Sequence, residues 1–224
     1  VPKANHRPKQ ILTKEQMDIF LAAVDRNEIW RDFFYTELTT GLRRGEILAL
    51  QWGDLNFRTG ALRVERQVHR VKGELVVSPP KTKAGNRTVL LPAPVLKVLK
   101  AYQKTVHSRW MFPSPKKEDS PMRPSSIHLR LHRILDHAGC ERVRFHDLRH
   151  TFATNALAYG MDIKTLSTIL GHVSSATTLN TYSHVTDEMR QRAAGKIDQG
   201  IAKVEVTEQE EKPKERTMTT FQAR

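Results

Sequence analysis

Apolar positions in the first fifty residues recur at three- and four-residue spacing. Met17, Phe20, Leu21 and Val24 fall on one helical face, and Thr13 with Gln16 ahead of them forms a capping box, so a helix is predicted to start at Thr13. A second apolar stretch, Ile29 to Leu38, runs to Gly41, and Glu46 to Leu50 restarts a short helix, which leaves Gly41, Leu42 and Arg43 in a tight turn between helices. From Ala61 to Leu91 the pattern shortens to runs of strand character, LRVERQV, ELVVS and RTVLL, separated by KGE and KTKAGN; they predict a small antiparallel sheet of two or three strands. Helical spacing returns at Val95 to Val106 and at Ser125 to His137, the latter closed by Gly139. Three helices follow: FHDLRHTFATNALAYG ending at Gly160, MDIKTLSTILG with Asp162 as N-cap and Gly171 past its end, and SSATTLNTYSHV with a serine cap. The expected class is therefore α+β, mainly helical.

The flanks have a different texture. Residues 1–12 are basic and contain Pro2 and Pro8, a linker composition, and residues 203–224 lack apolar periodicity and read as a charged, disordered tail. The chain holds 37 Lys and Arg against 24 Asp and Glu, a net charge of +13. A surplus of this size opposes compaction unless a polyanion is near, so nucleic acid or an anionic membrane surface is the expected partner. No apolar run approaches the roughly 18 residues of a membrane span, and the start lacks the apolar core of a signal peptide, which favours nucleic acid and a soluble, unexported chain. The tail has five residues of each sign, so the whole surplus sits on residues 1–202, as a phosphate-binding surface whose affinity should fall steeply with salt. The single cysteine, Cys140, excludes an internal disulfide and reads as a small apolar residue near a helix end.

Basic residues held where structure turns are the first candidates for chemistry. Arg43 sits in TGLRRGEILAL with Glu46 three residues on, where a carboxylate can orient a guanidinium; the plainer reading is a surface ion pair. His146 and Arg149 share one face of a helix's first turn, where one phosphate could meet both. His172 follows Gly171 at a helix end. Tyr182 lies among Thr177, Thr178, Asn180, Thr181, Ser183 and His184, surroundings polar enough to argue against simple burial, whereas Tyr35, Tyr102 and Tyr159 lie among apolar helical residues and read as packing. Phosphodiester transfer needs a nucleophile, stabilisation of the non-bridging oxygens and a proton for the leaving oxygen. With no clustered carboxylates to hold Mg²⁺, arginines and histidines would supply the stabilisation, and a tyrosine serves as nucleophile only where cations and a base favour its phenolate.

The segments TGLRRGEILAL, PPKTKAGNRTVLLP, HDLRHTFATN, TILGH and TTLNTYSHV, in this order, resemble the catalytic domain of the tyrosine recombinase (phage integrase) family, particularly integrases of phages and integrative transposons, over about residues 10 to 190. The resemblance implies that residues 13–202 form this domain. It implies that Arg43 and Arg149 clamp the scissile phosphate, Glu46 supports Arg43, Lys81 protonates the departing 5′ oxygen, His146 assists proton transfer, His172 bonds the phosphate, and Tyr182 forms a 3′-phosphotyrosyl bond. Lys83 is a rival to Lys81, and Lys83 and Arg87 are candidate DNA-binding residues. It further implies strand exchange through a Holliday junction without metal, ATP or other cofactor, and a cytoplasmic, phage-encoded or bacterial protein working on double-stranded DNA. The family's homo-tetramer exchanges C-terminal helices, for which Glu188 to Ile201 is the candidate donor, and an accessory excision factor belongs to the same picture. Family members normally carry an N-terminal DNA-clamping domain. The Val start and the length therefore suggest the catalytic half of a larger clamp.

Three other readings compete: a type IB topoisomerase that reseals the strand it cuts, a decayed DNA-binding remnant acting as repressor, and a metal protein built on the histidine pairs His128 with His132 and His146 with His150. The intact set of candidate residues argues against the remnant, and the lack of a third ligand cluster against the metal protein.

Overall fold

The structure, a computed structural model, describes residues 10–26, 28–117 and 119–182. Of the basic linker over 1–12, residues 1–9 lie outside the described residues, as do the tail over 203–224 and the candidate donor helix Glu188 to Ile201, whereas Leu12 is buried in the core. Helix α1, Lys14–Asp25, begins where its capping box places it: Thr13 Oγ1 accepts from the Gln16 N–H at 3.2 Å, and the Gln16 side chain accepts from the Thr13 N–H at 2.9 Å. Helix α2, Glu28–Thr40, buries Trp30, Phe33 and Phe34, which pack edge-on with Phe20 of α1 and with Phe112. It stops at Gly41, whose φ of +57° closes the turn; a Cβ there would lie 2.3 Å from the Phe152 ring, so the position needs glycine twice over. Helix α3, Arg44–Leu48, starts two residues before the predicted restart, because the Glu46 carboxylate reaches back to cap the Arg43 N–H at 2.9 Å.

The strand region divides into two sheets instead of one. Strands β1 (Leu55–Asn56), β2 (Ala61–Val64) and β5 (Arg87–Leu90) form one antiparallel sheet in the order β1-β2-β5, with Leu62 opposite Val89 and Val64 opposite Arg87. The run LRVERQV breaks at Glu65 and Arg66, where Arg66 turns aside to pair with Asp54, and its second half becomes β3, Gln67–Val71. Strand β3 pairs with β4, Glu74–Ser78, through a two-residue turn in which Lys72 and Gly73 both have positive φ. This hairpin leaves the first sheet to lie against α3, close enough that a Cβ on Gly45 would sit 2.7 Å from the Val68 carbonyl.

Helices α4 (Ala93–Gln103), α5 (Pro124–His137), α6 (Phe145–Ala158), α7 (Ile163–Leu170) and α8 (Ser175–Thr181) complete the fold. Asp162 and Ser174 cap α7 and α8, and Gly139, Gly160 and Gly171 have positive φ after α5, α6 and α7. The main core runs from α1 and α2 through the sheet to α5 and the first turn of α6. A second cluster joins the last half of α6 to α7 through Ala153, Ala156, Leu157, Leu166 and Leu170.

Two readings of the tyrosines change. Tyr159, expected to pack, is 86% exposed at the C-terminal cap of α6. Tyr182, expected to avoid burial, is 2% exposed: α8 ends at Thr181, and the Tyr182 ring turns into the second apolar cluster despite its polar sequence neighbours. Tyr35 and Tyr102 are partly buried against the main core, as read.

Candidate active site

The last turn of α7 organises three arginines. A helix C-terminus leaves carbonyls without intrahelical partners, and here three consecutive ones each take a guanidinium. Ile169 accepts from Arg87 Nε at 2.5 Å, Leu170 from Arg149 Nη2 at 2.7 Å, and Gly171 from Arg43 Nη2 at 3.0 Å. The other end of Arg149 donates to the Gly41 carbonyl at 2.7 Å, two residues before Arg43. Each of the two glycine turns therefore holds an arginine that arrives from a distant part of the sequence. Gly171 is confined in the same way as Gly41: its φ is +64°, and a Cβ would meet the Ala84 carbonyl and Arg87 Nη1 at 2.9 Å.

Glu46 ties two of these arginines together. Its carboxylate accepts from Arg43 Nη1 at 2.8 Å and from Arg87 Nη1 and Nη2 at 3.2 and 2.9 Å, with both Arg87 and Glu46 side chains 4% exposed. Burial alone would raise the Glu46 carboxyl; the hydrogen bonds and charge of Arg87, with those of Arg43, outweigh it and hold the group below the usual carboxylate range. Arg87, a candidate for contacting DNA, is turned to the protein interior, its guanidinium bonded to Glu46, Ile169 and Gly85. Strand alternation carries the signal for this, since the parity that buries Val89 in β5 buries Arg87 as well.

Arg149, 2% exposed, forms the buried side of the cluster, and Arg43, with 40% of its side chain exposed, the open side. Burial, then repulsion from Arg43, lowers Arg149 to about 10. His172 joins them: Arg149 Nη2 lies 3.1 Å from His172 Nε2, and His172 Nδ1 lies 2.7 Å from Thr178 Oγ1. Burial, then the charges of Arg149 and Arg43, push His172 down to about 4, so the ring is neutral at physiological pH and accepts from Arg149 at Nε2 while donating from Nδ1 to Thr178. His146 stands on the first turn of α6 with part of its surface open to solvent; desolvation by the protein packed around it, then the charge of Arg149, lower it.

Tyr182 meets a histidine other than the expected one. Its hydroxyl is 2.8 Å from His150 Nδ1, inside the second apolar cluster. Burial pushes the phenol up to about 12, against the pull of Arg149, so in this arrangement the interior outweighs the cations that were expected to favour a phenolate. His150 was read only as half of a metal-type pair with His146; its helical spacing to Ala153 and Leu157 marks it as a buried-face residue. The His146 and His150 rings sit edge-on at 4.7 Å. Among the described residues no group of three or more His, Cys, Asp or Glu side chains is placed to hold a metal ion, and the His128 and His132 rings lie tilted at 4.1 Å on α5 without a third candidate ligand.

Lys81 and Lys83 are both exposed, in the loop between β4 and β5. The loop is anchored at its base, where Gly85 packs on Pro80 and Ala84 lies against Gly171, so it borders the arginine cluster. No helix among the described residues is long and apolar enough to cross a membrane.

The fold is that of a tyrosine recombinase catalytic domain. The phage integrase family profile matches residues 10–189, and the chain belongs to that family. A XerC-like tyrosine recombinase of Caldanaerobacter subterraneus subsp. tengcongensis is 30% identical over 184 residues, covering 71% of this chain and 46% of the relative. The tyrosine recombinase XerA of Pyrococcus furiosus is 32% identical over 190 residues, covering 83% and 60%. The integrase of transposon Tn1549, solved with circular intermediate DNA, superposes with a TM-score of 0.71 at 25% identity, over 84% of this chain and 68% of that one. The chain spans about half the length of the curated relatives it matches.

Proposed function

We propose that residues 13–202 are the catalytic domain of a site-specific DNA recombinase, acting in the cytoplasm on double-stranded DNA. The observation that carries this is the convergence of Arg43, Arg149 and His172 on the end of α7, with Tyr182 held by His150, the neighbour of Arg149 on α6. Fixed cations on helix-end carbonyls suit a phosphodiester, whose non-bridging oxygens gain charge as the nucleophile adds.

In the proposed reaction the Tyr182 hydroxyl oxygen attacks the scissile phosphorus and loses its proton, with His146 assisting its transfer. The bond to the 5′ oxygen breaks, and that oxygen takes a proton from Lys81. Arg43, Arg149 and His172 hold the phosphate, while Glu46 fixes the angle of Arg43. The 3′-phosphotyrosyl bond keeps the energy of the phosphodiester. A 5′ hydroxyl from a partner strand then displaces Tyr182, and a second round resolves the Holliday junction without metal or ATP.

Exchange between two duplexes needs four subunits. A groove lined by Met17, Leu21, Leu38, Leu90, Phe152 and Tyr159 leaves Leu90 70% and Tyr159 86% exposed, and it borders the cluster that holds Tyr182. The reading seats on it Glu188 to Ile201 of a neighbouring subunit, whose Met189, Ala193 and Ile197 fall on one face if the segment is helical.

The test is a nicked suicide duplex carrying the cognate site, incubated in EDTA. The wild-type chain should give an SDS-resistant adduct and Tyr182→Phe none. A domain that binds the site without forming the adduct, or a Tyr182→Phe adduct, refutes the assignment.

A further inference from the structure

Glu37 stands where the helical pattern calls for an apolar residue. It lies on the buried face of α2 with Phe33, Phe34 and Thr40, is 0% exposed, and neither carboxyl oxygen has a hydrogen-bond partner. Its backbone carbonyl accepts from the Gly41 N–H at 2.8 Å, one step from the Gly41 carbonyl that holds Arg149. The site in the last turn of α2 also places it at the negative end of the helix dipole. Burial without donors and a helix C-terminus both oppose an anion.

The arginines around it are unequally compensated. Glu46 is shared between Arg43 and Arg87, while every acceptor of Arg149 is neutral: the Gly41 and Leu170 carbonyls and His172. Glu37 is the nearby acid that would alter this balance. Two charged groups act on it from the packed elements, Arg149 of α6, which favours its ionisation, and Glu46 of α3, which opposes it. Burial wins and pushes the Glu37 carboxyl well above the usual carboxylate range.

We propose that Glu37 is held protonated beneath the arginine cluster as a positioning residue, leaving the charge of Arg149 free for a phosphate, and that its ionisation at alkaline pH gives Arg149 an internal counter-ion and weakens phosphate capture. Glu37 touches no substrate, since it has no exposed surface; it acts through Arg149. The cost of this device is a buried polar group in a core position, which a leucine would fill without it. The inference rests on Arg149 being a phosphate ligand, and its test separates the two claims.

Infrared difference spectra of wild type against Glu37→Gln read the proton directly, through the C=O stretch of a neutral carboxylic acid. That band should be present at neutral pH and fade as the solution is made alkaline. Single-turnover cleavage of the suicide duplex over the same range should fall with the band in the wild type. Glu37→Gln, which cannot ionise, should stay about tenfold faster than wild type at the alkaline end. Should circular dichroism show Glu37→Gln unfolded, Glu37→Met is the neutral replacement. The absence of the band at neutral pH overturns the proposal, as does a wild-type pH profile that the neutral variant reproduces, or a folded neutral variant about tenfold slower at neutral pH. Loss of cleavage in every variant with the band present refutes the recombinase reading and leaves the proton on Glu37 established.

Discussion

His150 Nδ1 lies 2.8 Å from the Tyr182 hydroxyl, and this contact sets the resting state of the proposed nucleophile. The phenol is buried, stands at about 12, and is held one residue along α6 from Arg149. The proposed nucleophile thus rests against the residue next to Arg149, with its ring in the second apolar cluster. His150→Ala removes the partner and strands a buried O–H. The cost of such a group is about 1–3 kcal/mol, to be read as a lowered urea midpoint. In a Tyr182→Phe background the same His150→Ala change should cost less. Equal losses in both backgrounds would show that the contact carries no coupling.

The Glu46 carboxylate makes a sharper prediction, because it compensates two arginines from a buried position. Glu46→Gln keeps the shape but leaves Arg87 an uncompensated buried cation, a change in the range of about 3–5 kcal/mol. Adding Arg87→Met removes that buried cation and should recover much of the stability, since no uncompensated charge is then left in the interior. Cleavage should not recover, because Arg43 would still lack its orienting carboxylate. Recovery of both stability and cleavage in the double variant would remove Glu46 from the proposed mechanism.

His172 gives the domain a defined acid sensitivity. Its folded-state value of about 4 lies below the ordinary histidine value of 6.5, so the unfolded chain binds this proton first. Stability from the group is present above pH 6.5 and is lost as pH falls from there through about 4. His172→Gln should flatten that part of the stability curve in urea titrations across the window. An unaltered slope would mean that His172 is not held neutral by the arginines. A phosphodiester anion replacing Arg149 at Nε2 should draw a proton onto the ring, so DNA binding near neutral pH is expected to take up protons, measurable as a buffer-dependent heat in calorimetry.

Much of this framework was legible in the chain because it depends on local chemistry. Thr13, Asp162, Gly41 and Gly171 mark helix ends through capping and positive φ, which act within a few residues. Arg43 and Glu46 meet at i,i+3, so their pairing followed from spacing alone. The break of LRVERQV into two sheets did not, since it depends on Asp54 capturing Arg66 and on α3 receiving β3. The burial of Tyr182 was misread for a related reason: its sequence neighbours are polar, but the surface that covers it comes from α6 and α7. The setting of Glu37 and of His150 is not legible in spacing, because the charges acting on Glu37, Arg149 and Glu46, and the Tyr182 hydroxyl that meets His150 lie beyond i+4, although both residues sit on faces that helical periodicity marks as buried.

The loop between β4 and β5 offers two lysines for one role. Both are exposed beside the arginine cluster, but Lys81 follows Pro80, which is packed on Gly85 at the anchored base of the loop, while Lys83 opens a single 3-10 turn. An ammonium that protonates a leaving oxygen must be presented at a fixed place, which favours the lysine nearer the anchored proline. Lys81→Ala should therefore slow single-turnover cleavage by about 10²–10⁴-fold, the usual contribution of a positioned general acid. Binding to the cognate duplex should be weakened far less. A substrate with a 5′-thiol leaving group, which departs without protonation, should restore most of the rate in Lys81→Ala. The same substrate should do nothing for variants of Arg43 or Arg149, whose proposed work is on the non-bridging oxygens. If Lys83→Ala instead shows the loss and the rescue, the acid role moves two residues along the loop.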